Sequence, residues 1–371
     1  MCAPRSEGRL LIDDDARGAS CLPSNTTSPW SSTVSEVQAA VLESVGNLVI
    51  RDLPEPSVLP GELLLEVLAC GVCGSDMSMI SAGFPVGAVL GHEVVGRVLA
   101  GASSRSPDEE EIVVVRPNAW CGSCSWCVAG RHQLCPDAIS HGLGIGRQGG
   151  FAERLAVPAS LCRSVSGVDV LDAVFADPLA VALHAVARAG SKGASFAVLG
   201  LGPTGLAVLR AGLLMGMGPA VGVDRHPPKQ RHALDLGARA VTDPGDVAGL
   251  HEALEGAPAV VFECSGRPAA IAHALNAASL GGVVVLVGVS LHDAAIAPSV
   301  ALTKELDIRA SYCYSNDEWD QAIAMLKDRR VRLSAVVDGA VALEELPAGL
   351  TRLAGGEVTK VVVTSGDRSP L

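Results

Sequence analysis

Aromatic side chains are scarce: Phe, Trp and Tyr make up 3% of the 371 residues, so a core must be built from Ala, Val and Leu. Charged residues are also few, 18% against 49% hydrophobic, which excludes a disordered chain. Basic residues are outnumbered 28 to 40, and the net charge of −12 argues against nucleic acid or an anionic membrane as partner. No run approaches the roughly 18 apolar residues of a spanning helix. The opening MCAPRSEGRLLI lacks the apolar stretch of a secretory signal, and Asp13 to Asp15 follow at once, so the expected compartment is the cytoplasm.

Cysteine, by contrast, is plentiful at 11 residues. A reducing compartment keeps thiols free, so these residues need a role other than disulfides. Four fall in WCGSCSWCVAGRHQLC as Cys121, Cys124, Cys127 and Cys135. Two-residue spacers let neighbouring thiolates face one ion, and a loop of seven returns the fourth to close a tetrahedron. Four protein ligands leave no open position, so such a zinc is structural. An iron–sulfur cluster uses similar spacing but is the weaker reading, and the acidic total charge disfavours a nucleic-acid ribbon. Cys70, Cys162, Cys264 and Cys313 sit among apolar neighbours and read as small buried hydrophobes.

The length allows two domains, each with its own core. Residues 1–35 mix Ser, Thr, Pro and Gly without periodicity and read as a disordered leader that includes Cys2 and Cys21. Residues 36–185 are rich in short strands broken by Gly and Pro, which suggests a partly closed β-barrel. A helix is expected from Asp172 to a glycine stop at Gly190. From 186 to 318 strands and helices alternate, as in a doubly wound parallel sheet. The segment 319–371 ends in the apolar strand KVVVTS, expected to return to the first domain.

Two stretches carry the chemistry. The first begins CGSD at Cys73 and ends GHE at Glu93; its thiolate, imidazole and carboxylates, delivered from two turns, form a donor set that zinc selects. The second is GLGPTG, which follows a strand and opens a helix. Gly200 permits the tight turn, Gly202 lets a pyrophosphate approach, and Gly205 lets helix and strand pack, with Pro203 and Thr204 between them. Asp224, nineteen residues after Gly205, ends the next strand, where it can accept both ribose hydroxyls and repel a 2′-phosphate. NAD is therefore favoured, while the adjacent Arg225 and His226 keep NADP open.

In this order the CGSD turn, the GHE triplet, the four-cysteine lobe and GLGPTG resemble the zinc-dependent medium-chain alcohol and polyol dehydrogenases, over residues 37 to 371. The resemblance implies a GroES-like barrel beside a Rossmann domain, two zinc ions per chain, and a homodimer or homotetramer. It implies Cys73 and His92 as fixed ligands of a catalytic zinc, with Glu93 a ligand or close neighbour. The third family ligand falls at Asp177 in the ADPLA turn, where the residue also reads as a helix N-terminal carboxylate before Pro178. Asp76 matches the carboxylate that orients the histidine, and Ser75 the hydroxyl that takes the substrate proton. Gly288 and Val289 match backbone that meets the nicotinamide carboxamide. His184 reads as a packed helix residue.

Two positions depart from the family. Ser78 stands where many members carry a proton-relaying histidine, which leaves proton exit to a water chain or a cofactor ribose hydroxyl. Gly74 replaces an Arg or His of the simple-alcohol enzymes and leans towards the polyol branches. The expected activity is hydride transfer between NAD and a small secondary alcohol, polyol or amino-polyol. The alternatives are an NADPH-dependent ketone or aldehyde reductase and, from another class, a non-catalytic zinc-stabilised binding protein.

Overall fold

The computed structural model describes residues 36–101, 107–290 and 292–365. The leader expected over residues 1–35 lies outside the described residues. Glu36–Ser44 and Asn47–Pro54 form an antiparallel hairpin. A seven-stranded sheet follows, in the spatial order Val337–Val341, Lys360–Thr364, Glu62–Gly71, Glu93–Ala100, Ile112–Val115, Cys162–Ser164, with Arg154–Pro158 paired to the first half of Glu62–Gly71. Two register shifts between Glu62–Gly71 and Glu93–Ala100 bend the sheet towards a barrel. The strand Lys360–Thr364 lies antiparallel to Glu62–Gly71 and parallel to Val337–Val341, so the end of the described chain comes back to the first large sheet.

The second sheet is parallel and six-stranded: Ala240–Thr242, Ala220–Val223, Phe196–Leu199, Val260–Glu263, Val283–Leu286, Asp307–Ala310. Its central runs FAVL, AVGV and VVFE are buried at every residue, as strands covered on both faces must be. Four of its helices, Pro203–Leu214, Pro227–Asp235, Pro268–Ala277 and Pro298–Thr303, open on a proline, whose missing N–H costs nothing in a first turn. Phe175, Phe196, Phe262, Tyr314 and Trp319 are fully buried, whereas Phe84, Trp126 and Tyr312 are exposed. No helix of the described residues is long and apolar enough to cross a membrane.

Two local expectations need correction. The helix expected from Asp172 to Gly190 is two helices, Val170–Ala173 and Ala176–Ala189. Asp169 caps the first by accepting the N–H groups of Leu171 and Asp172. Pro178 has no N–H for the Val174 carbonyl and its ring would clash there, so the first helix cannot run through. The expected stop at Gly190 holds, with a left-handed φ of 68°. The CGSD stretch is likewise more than a turn, because Cys73 is followed at once by the helix Gly74–Ala82.

Candidate active site

Asp76, fully buried in the first turn of the Gly74–Ala82 helix, joins the two halves of the site. Its Oδ2 accepts the Cys73 N–H at 2.8 Å, while Oδ1 accepts Gly91 N–H at 3.3 Å and lies 3.2 Å from His92 Nδ1. A carboxylate at Nδ1 makes that nitrogen the donor and leaves the Nε2 lone pair for a metal. Burial alone would lower the imidazole pKa; the charge and hydrogen bond of Asp76 outweigh it and hold His92 well above its ordinary value.

Cys73, His92 and Glu93 each bring a donor atom within 4.8 Å of the other two. A thiolate, an imidazole and a carboxylate so close fit a zinc ion, with one position left open. Glu93 Oε2 also contacts Lys360 Nζ, and both side chains are buried. Lys360 donates as well to the Val72 carbonyl at 3.0 Å. Burial pushes the Glu93 carboxyl up, against the pull of Lys360.

Asp177 stands outside this three-donor group. It lies in the first turn of the Ala176–Ala189 helix, and its Oδ1 accepts the Tyr314 hydroxyl at 2.5 Å. Ser75 is half-buried beside Asp76. Ser78 donates back to the Gly74 carbonyl at 3.1 Å, so its hydroxyl is spent on its own helix. His184 is paired through Nδ1 with Glu318 at 2.9 Å, a packing role.

The four sulfurs of Cys121, Cys124, Cys127 and Cys135 also lie within 4.8 Å of one another. Zn–S bonds of about 2.3 Å would set tetrahedral edges of about 3.8 Å; Cys124 to Cys127 is 3.4 Å and Cys121 to Cys127 is 3.9 Å. Hydrogen bonds from Ser123 and Cys124 hold the Cys121 thiol down at about 6, whereas burial pushes Cys127 up to about 12. Sulfurs this crowded suit a cation. The nine described cysteines form no disulfide.

Gly200 takes a left-handed φ of 91°, and a Cβ on Gly205 would lie 1.9 Å from the Gly200 carbonyl oxygen. A Cβ on Gly202 would meet nothing within 4 Å, which is the open approach a pyrophosphate needs. The loop borders a cavity of about 640 Å³ that also touches Pro203, Thr204, Asp224 and Arg225 and extends to Val72 and Gly74, the residues before and after Cys73. Asp224 accepts Leu201 N–H at 2.9 Å and His226 N–H at 3.0 Å, which fixes its carboxylate at the cavity wall. Gly288 and Val289 pack on Gly266, outside that lining.

Residues 59–167 match the family description "Alcohol dehydrogenase GroES-like domain" and residues 203–328 match "Zinc-binding dehydrogenase". The sorbitol dehydrogenase of Gallus gallus is 30% identical over 342 residues, 88% of this chain and 95% of that protein. This chain belongs to the zinc-dependent medium-chain alcohol dehydrogenases. Among solved structures, a protein described as a zinc-binding dehydrogenase from Sinorhizobium meliloti 1021, bound to NADP, superposes with a TM-score of 0.82 at 32% identity, covering 89% of this chain and 99% of its own. Alcohol dehydrogenase TADH from Thermus sp. ATN1 gives 0.81 at 28% identity, covering 89% and 100%. The chain is therefore an oxidoreductase of this family, with a GroES-like domain beside a Rossmann domain.

Three residues at the site were not singled out from sequence: Lys360, Tyr314 and Arg116. Lys360 had a readable sign, being the one charge in the apolar run KVVVTS. Tyr314 is one of only 2 tyrosines. Arg116 follows the apolar strand IVVV and carries no motif at all.

Proposed function

We propose that the chain transfers a hydride reversibly between NAD and a secondary alcohol, polyol or amino-polyol, the ketone being the oxidised partner. The observation that carries this reading is the single cavity running from Asp224 and the glycine loop to the residues flanking Cys73. It allows a dinucleotide to lie with its ribose at one end and its nicotinamide beside the donor group. In this reading Cys73, His92 and Glu93 hold one zinc, with Asp177 the alternative carboxylate, and Cys121, Cys124, Cys127 and Cys135 hold a second. The first ion, when bound, supplies a Lewis acid that lowers the pKa of a substrate hydroxyl.

The remaining steps belong to the chain's own side chains. Asp76 keeps His92 in the tautomer that offers Nε2. Ser75 takes the hydroxyl proton as the hydride leaves. Ser78 is turned to Gly74, so the proton leaves through water or a ribose hydroxyl. Asp224 accepts a ribose hydroxyl, beside Arg225, and N–H groups at the start of the Pro203–Leu214 helix face the pyrophosphate. Gly288 and Val289 offer backbone to the carboxamide.

The domain division follows the same reading: 36–185 catalytic, 186–318 cofactor-binding, 319–371 returning to the catalytic part. The exposed edge strand Asp307–Ala310, with Ile308 40% exposed, suits pairing with a second copy in a homodimer or homotetramer. The unbridged cysteines suit a reducing cytoplasm.

A panel of polyols, amino-polyols and simple secondary alcohols, followed by NADH absorbance, tests the activity; turnover of none of them with either nucleotide would refute it. One observation favours the NADPH-dependent reductase as a second reading. Arg225, Lys229 and Arg267 line the same cavity and make no ion pair among the described residues, and the Sinorhizobium meliloti relative binds NADP. Asp224→Ala separates the two: it raises KM for NAD at least tenfold if Asp224 reads the ribose, and leaves NADP kinetics the better of the pair.

A further inference from the structure

One cluster has no part in the reading above: the buried Arg116 and Tyr314 with the half-buried Trp120 and Asn316, between the cysteine lobe and the Ala176–Ala189 helix. We propose that Tyr314 is a positioning residue that holds Asp177 beside the metal and off it, and that Arg116 ties this hold to the four-cysteine lobe. The proposal rests on the metal reading of Cys73, His92 and Glu93.

The Tyr314 hydroxyl donates to Asp177 Oδ1 at 2.5 Å, and the two residues are 1% and 9% exposed. A charge-assisted bond between two buried groups is short and directional, so it fixes the carboxylate plane. Asp177 is accordingly absent from the donor group that Glu93 joins.

The phenol ring is itself held. It stacks on Trp319 with centroids 5.6 Å apart and planes 9° apart, and the Arg116 guanidinium lies 5.2 Å from its centroid. Arg116 is 3% exposed and has no carboxylate partner among the described residues. Its Nη2 donates to the Tyr314 carbonyl at 3.0 Å and its Nη1 to Asn316 Oδ1. A guanidinium buried without an ion pair is costly, which makes sense if its geometry is needed. The same guanidinium lies 4.8 Å from the Trp120 ring, and Trp120 packs against the buried Cys127, Cys135 and Ala138 of the cysteine lobe. Rigid contacts thus run from the lobe through Trp120 and Arg116 to Tyr314 and Asp177.

The test uses the full chain loaded with cobalt(II), whose visible absorption reports the ligands of the metal. The open site is isolated by difference against Cys73→Ala. Tyr314→Phe removes one hydroxyl and no ring contact. The expected result is a changed open-site spectrum, as the released carboxylate reaches the metal, with kcat down roughly tenfold, the scale of one hydrogen bond to a charged group. In an Asp177→Asn background the same substitution should leave the spectrum unchanged. Arg116→Lys should change the parent spectrum in the same direction by less. A folded Tyr314→Phe chain with the parent's spectrum and kcat would overturn the proposal, and a parent spectrum in Arg116→Lys would overturn the part assigned to Arg116. A parent chain that takes up cobalt only in the cysteine lobe would refute the metal reading itself, a different and separable outcome.

Discussion

Replacing Lys360 by methionine leaves the Glu93 carboxylate in the interior without its cation. The two side chains are 0% and 1% exposed, so solvent cannot take over. Removing one partner of a buried ion pair costs about 3–5 kcal/mol. The Val72 carbonyl loses its hydrogen bond at the same time. A metal ion on Cys73, His92 and Glu93 would compensate the stranded charge, so the loss must be larger in chelator-treated protein than in zinc-loaded protein. Denaturant midpoints of parent and Lys360→Met, each with and without chelator, measure this directly. Adding Glu93→Gln removes the charge itself and should recover most of the loss in the chelated form. A loss below about 1 kcal/mol, on the same scale, or equal losses with and without zinc, would refute the reasoning.

Two further outcomes follow from the same geometry. Gly205→Ala puts a methyl 1.9 Å from the Gly200 carbonyl, and the overpacking should cost about 1–3 kcal/mol and weaken NADH binding in a fluorescence titration; an unchanged Kd would contradict the loop's role. Burial alone would raise the Glu318 pKa, but hydrogen bonds from His184 and Ser315 outweigh it and hold the carboxyl below its ordinary value of 4.5. Its stabilisation is therefore complete above that value and is lost as pH falls through the lower folded pKa. Glu318→Gln should flatten the acid limb of a stability-against-pH curve, and an acid limb identical to the parent's would remove Glu318 from it.

Much of the fold was legible because its signals are local. Four-residue apolar runs, prolines at helix starts and the glycine stop at Gly190 each act within one turn or strand. The break before Ala176 was missed because Asp172, read as a helix start, gives its carboxylate to the N–H groups of Leu333 and Ser334. That contact spans 161 and 162 residues and leaves no local trace, whereas the break itself has a local sign in Pro178. The helix Gly74–Ala82 was hidden by its Gly-Ser start and by a face on which only Asp76 and Ile80 are buried. The site divides in the same way. The cysteine spacing, Cys73, His92 and the glycine loop are motifs, whereas Lys360 on Glu93 and Tyr314 on Asp177 are meetings of distant strands and helices that only the folded chain brings about.

Elemental analysis of zinc per chain, in the parent and in Cys73→Ala, decides whether Cys73 holds a metal ion. Two ions are expected in the parent and one in the variant, with turnover lost and the cysteine lobe still loaded. A variant that keeps two zinc ions and its turnover, or a parent that holds one ion while fully active, would contradict that expectation.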